Sequence, residues 1–130
     1  MSGSLRQRVE RERPLVAVVC SVPLLGEAMR SALDFAEVHT FAEDRGDVEG
    51  LLRSVRPDAV VVDSEDAAGA GASFAKEHGV PVLHVSVRDR ALRVFRGGAW
   101  ERVESDDGST PEALRNAVAG AFFARVGAAR

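Results

Sequence analysis

Three nearly unbroken apolar runs constrain this chain more than any other feature: Leu15–Cys20 (LVAVVC), Ala59–Asp63 (AVVVD) and Val80–Ser86 (VPVLHVS). A strand with one solvated face alternates apolar and polar residues, so a continuous β-branched run belongs in a sheet covered on both faces. Segments of helical length separate the runs. Leu24, Leu25, Ala28, Met29, Ala32 and Leu33 recur at helical spacing. Val48, Leu51, Leu52 and Val55 mark a second helix, which Arg56-Pro57 ends because a residue before proline disfavours the α region. The spacing predicts a third helix over Ala67–His78 with Gly79 just past its end. A last helix is predicted from about Pro111, behind Ser109-Thr110, to about Val126, with Leu114, Ala117, Val118, Ala121 and Phe122 on one stripe. Val38–Ala42 reads as a short second strand. Buried strands joined by helical crossovers make an α/β fold, a mainly parallel sheet with helices on both faces.

With 130 residues the chain amounts to one domain. Folding at this size buries roughly 65–70% of the surface the unfolded chain exposes, so an ordinary core forms without staples. No apolar run approaches the ~18 residues of a membrane span, and the polar N-terminus has no signal-peptide pattern. Cys20 is the single cysteine, which excludes an internal disulfide; a cytoplasmic location is expected. A net charge of −3 leaves no footprint for nucleic acid. Residues 1–14 read as a flexible Arg-rich arm, with Arg6, Arg8, Arg11 and Arg13 against Glu10 and Glu12, and residues 15–130 as one domain.

Residues 87–105 admit two readings. In one, Asp89–Arg96 is a short helix and Ala99–Glu104 a fifth parallel strand. In the other, Leu92–Val103 is a β-hairpin turning at Gly97-Gly98, with Phe95 opposite Trp100. Both abbreviate this edge of the sheet.

Ligands of an open parallel sheet bind beyond the carboxyl ends of its strands. Those ends carry Cys20-Ser21, Asp63 and Ser86. Together with the flanking segments LVAVVCSVPLLGEAMRSAL (15–33), RPDAVVVDS (56–64) and VPVLHVSV (80–87), they make residues 15–126 resemble a receiver domain of bacterial two-component response regulators. The resemblance weakens after residue 87. It implies a flavodoxin-like, doubly wound sheet of five parallel strands in the order 2-1-3-4-5, here abbreviated around the fourth helix and fifth strand.

Receivers phosphorylate an aspartate that ends strand three. An acidic pair after strand one holds Mg²⁺, and a Thr/Ser hydroxyl ending strand four and a lysine ending strand five contact the phosphoryl group. Carried over, Asp63 falls on the phosphoacceptor and Ser86 on the switch hydroxyl. The acidic pair falls on Cys20 and Ser21, which bear no carboxylate, and the lysine position near Val103-Glu104 holds none. Lys76, the sole lysine, belongs to the third helix. Mg²⁺ prefers carboxylate oxygen to thiol or hydroxyl. The transferring phosphoryl would thus lose its main electrostatic stabilisation, at a factor of ten per ~1.36 kcal/mol.

The expected molecule is therefore a degenerate receiver-like signalling domain with weak or absent Mg²⁺ binding and no enzymatic activity. The chain ends about four residues after the last expected helix, so no output module in cis is expected. Its partner would be a kinase or effector in trans or a second copy, with Phe95, Trp100, Phe122 and Phe123 as interface candidates and neither nucleic acid nor membrane involved. Two alternatives stay open. One is a phosphocarrier using Asp63, or Cys20 if its place before a helix lowers the thiol pKa. The other is a small-molecule sensor with a pocket at the ends of strands one and three. Glu65-Asp66 and Asp106-Asp107 read as solvated loop charge, and His84 as a buried, satisfied imidazole.

Overall fold

The computed structural model of the chain describes residues 13–43, 47–86, 91–103, 112 and 115–120. Its elements are β1 (Leu15–Cys20), α1 (Pro23–Ala32), β2 (Glu37–Ala42), α2 (Val48–Val55), β3 (Ala59–Val62), α3 (Glu65–His78), β4 (Val82–Ser86), β5 (Ala91–Arg96) and β6 (Ala99–Arg102). Residues 115–120 are helical, within the last predicted helix. Phe122, Phe123, Asp106 and Asp107 lie outside the described residues.

The strands form one sheet in the order β2-β1-β3-β4-β5-β6. β1 runs parallel to β2 and β3, and β3 to β4. β5 runs antiparallel to both β4 and β6. The expected five-stranded parallel sheet of order 2-1-3-4-5 is thus corrected to a six-stranded mixed sheet. One physical reason is length: the segment 87–90 between β4 and β5 is far short of the dozen or so residues a parallel crossover needs. The other is the turn. Gly97 and Gly98 sit at φ 64° and 83°, the left-handed backbone that both central residues of a twist-matched hairpin turn require. The hairpin reading is the one realised, with Phe95 facing Trp100 across the two strands. The helix expected over Asp89–Arg96 is replaced by strand from Ala91 onward.

Period-two alternation sorts the strand residues to two covered faces. Val16, Val18, Cys20, Val61, Leu83, Val85, Leu92 and Val94 pack beneath Met29 and Leu33 of α1 and its following turn, and beneath Val118. Ala17, Val19, Val60, Val62, Val82 and Phe95 pack beneath Leu52 of α2 and Phe74 and Ala75 of α3. The buried runs in the sequence are buried for this reason: both faces of β1, β3 and β4 are roofed.

Local chemistry sets the helix ends. Proline starts α1, where its missing N–H costs nothing. The Asp47 carboxylate accepts from Gly50 N at 2.9 Å and opens α2. Ser64 Oγ accepts from Ala67 N at 3.1 Å, which begins α3 two residues before the predicted Ala67. Glu65 and Asp66 therefore form the first turn of a helix rather than a loop, placed favourably on its dipole. The end of the N-terminal arm is fastened: the Arg13 guanidinium donates to the carbonyls of Asp34 (3.0 Å) and Ala36 (2.7 Å). Among the described residues no helix is long and apolar enough to cross a membrane.

Candidate functional site

Parallel pairing of β1 with β3 sets Val19 beside Val62, so the residues just past each strand meet. Ser21 donates its backbone N–H to both carboxylate oxygens of Asp63 (3.0 and 3.1 Å) and its hydroxyl to Oδ2 (3.1 Å). The sequence-predicted residues Ser21 and Asp63 are thereby brought together. Ser21 supplies Asp63 with donors at a position where the resemblance calls for a carboxylate.

Cys20 turns the other way, into the core beneath α1. A Cβ on Gly26 would lie 3.0 Å from Cys20 Sγ and 3.3 Å from Thr40 Cγ2, so glycine is what lets α1 close on the end of β1. Burial first, and then the Asp63 charge, push the Cys20 thiol up; a backbone hydrogen bond at Gly26 offsets this only in part. The expectation that the helix start lowers the thiol pKa is therefore corrected, and the thiol is neutral at physiological pH. Cys20 Sγ also makes a weak contact, 3.9 Å, to the Phe41 carbonyl.

Ser86, at the switch-hydroxyl position, ends the strand next to β3. It closes β4, half-buried, opposite Ala91. Lys76 is exposed in the last turn of α3, the end that leads back to the start of β4. Among the described residues no three His, Cys, Asp or Glu side chains assemble as a metal shell. The donor set after β1, one buried thiol and one hydroxyl already given to Asp63, does not fit Mg²⁺. Of the aromatic interface candidates, Phe95 is buried in the core and Trp100 is half-buried against it, 5.2 Å between ring centroids.

A second cluster was not foreseen as a unit. His84 of β4 is 3% exposed, and its Nδ1 accepts from the Arg93 guanidinium at 2.6 Å. Arg93 also reaches Glu65 Oε1 at 3.0 Å and lies over the Trp100 ring, 5.3 Å from its centroid. His84 lies directly across from Arg93 in the antiparallel register. The strand direction of β5, which the sequence left open, was the missing signal. Sequence reasoning also passed over Asp58, a buried carboxylate that accepts from Leu15 N at 2.8 Å and ties the starts of β1 and β3 together.

A groove of about 800 Å³ opens between α1 and the end of β2, lined by Cys20, Ser21, Glu27, Arg30, Thr40 and Phe41 among others. It lies at the ends of β1 and β2 rather than at the expected ends of strands one and three. No protein-family model, curated protein or solved structure matches the chain.

Proposed function

We propose that the chain is a degenerate receiver-like signalling domain of the flavodoxin-like type, acting through protein contacts and not through Mg²⁺-dependent phosphorylation of Asp63. The carrying observation is the pair of donors that Ser21 presents to the Asp63 carboxylate. Phosphotransfer to a carboxylate needs cations around the incoming phosphoryl oxygens. Here the donors that meet Asp63 come from a neutral neighbour, and Arg93 is directed at Glu65 and His84. Asp63 then serves as a clasp between β1 and β3.

The contact surface in this reading is the β5–β6 hairpin, which occupies the edge where the resemblance calls for a fourth helix and a parallel fifth strand. β6 pairs with β5 on one side and ends the sheet on the other. The first partner is a second copy of the chain; a kinase or effector in trans would meet the same edge. Light scattering at tens of micromolar protein tests this. A dimer that persists in Asp63→Asn is expected, and a monomeric peak would contradict it.

The groove beside Cys20 favours one second reading, a small-molecule sensor whose ligand rests on Phe41 with its polar end at Arg30 or Glu27. A thermal-shift screen against nucleotides and small carboxylates separates the two: a stabilisation lost in Arg30→Ala would support the sensor.

A further inference from the structure

We propose that His84 is a proton-sensing site: on protonation it exchanges Arg93 for Glu65 and loosens the β5–β6 hairpin at the sheet's edge. The inference does not depend on whether Asp63 is ever phosphorylated.

The geometry dictates the exchange. A guanidinium has donors only, so at 2.6 Å the His84 Nδ1 must offer its lone pair to Arg93. The ring is then neutral, with its proton on Nε2. A proton from solvent that binds Nδ1 consumes this lone pair, breaks the Arg93 N–H···Nδ1 bond and sets two cations against each other. The next acceptor within reach is Glu65 Oε1, 3.9 Å from Nδ1 and 3.0 Å from the same Arg93 nitrogen. The imidazolium, fixed in the sheet, draws on the same exposed carboxylate that Arg93 uses, so the two cations share Glu65 and repel each other across it. Arg93 loses its bond to His84 and keeps a contested hold on Glu65 and its place over the Trp100 ring, and directly across from it on β6 stands another cation, Arg102.

Among the described residues, three charged groups bear on His84. Asp63, past the end of β3, and Glu65, at the start of α3, favour the charged ring; Arg93 on β5 opposes it. Ser86, two residues on in β4, is uncharged at these pH values. Burial and Arg93 prevail over the two carboxylates and hold the imidazole below its usual range. Sensing therefore falls on the acid side of neutrality.

Trp100 reports the event directly. It is the only tryptophan in a chain without tyrosine, its centroid is 6.1 Å from the His84 ring, and it lies under Arg93. The test is Trp100 emission and far-UV circular dichroism of the full chain, titrated from about pH 8 to about pH 5. We expect a one-proton loss of emission centred below the ordinary histidine value of about 6.5, with the ellipticity unchanged. His84→Asn keeps an acceptor near the Nδ1 position but cannot titrate, and should abolish the transition. Glu65→Gln keeps an acceptor but removes the negative charge that favours the imidazolium, and should move the transition to lower pH. Flat emission in the native chain would overturn the proposal, as would a transition that survives in His84→Asn or ellipticity lost in step with emission. Should His84→Asn fail to fold, Glu65→Gln at its exposed position decides: an unmoved midpoint overturns the proposal.

Discussion

At Asp63 a carboxylate meets hydrogen-bond donors where phosphoryl chemistry requires cations, and Cys20 beside it is buried under α1. The raised thiol pKa has a direct consequence, since only the thiolate reacts. Alkylation of Cys20 at neutral pH should run at least about tenfold slower in the folded chain than in urea. Equal rates would place the thiol outside the core. Asp58 supports the opposite edge of the sheet: in Asp58→Ala the buried Leu15 N–H loses its carboxylate acceptor, and a denaturant titration should show a loss of about 1–3 kcal/mol. His84 adds a pH term with a definite sign. Its folded pKa is depressed, so the unfolded chain binds the proton more readily. The stability tied to neutral His84 is complete above the unfolded value of about 6.5 and is lost as pH falls through the folded one. Unfolding midpoints should therefore drop more steeply on acidification in the native chain than in His84→Asn.

Among the elements, β1, β3 and β4 were legible because burial on both faces leaves no polar alternation, and only a doubly covered sheet accommodates such runs. The stretch Ala91–Arg96 (ALRVFR) was not decisive. Its apolar residues at 92, 94 and 95 suit a short amphipathic helix as well as a strand, and only the glycine pair favours a reversal. The His84–Arg93 contact was illegible for the same reason, since it exists only in the antiparallel register. The meeting of Ser21 with Asp63 was legible, because parallel strands of known ends bring their carboxyl termini together. The hairpin makes its own prediction. At Gly98, φ 83° penalises any side chain, so Gly98→Ala should cost about 1–2 kcal/mol in a urea titration and weaken the dimer proposed at that edge. A neutral effect would mean that the turn is made some other way.

In the whole molecule, an α/β sheet with roofed faces carries a hairpin at one margin, and at its carboxyl edge Ser21 is hydrogen-bonded to Asp63. The positions where the resemblance calls for an acidic pair hold one buried thiol and one hydroxyl, and Arg93 is engaged by Glu65 and His84. In the function proposed above, such a domain transmits by shape and association. The most direct measurement is the intact mass of the purified chain after incubation with acetyl phosphate and Mg²⁺. An unaltered mass is expected at all times. The gain of one phosphate, absent from Asp63→Asn, would contradict it.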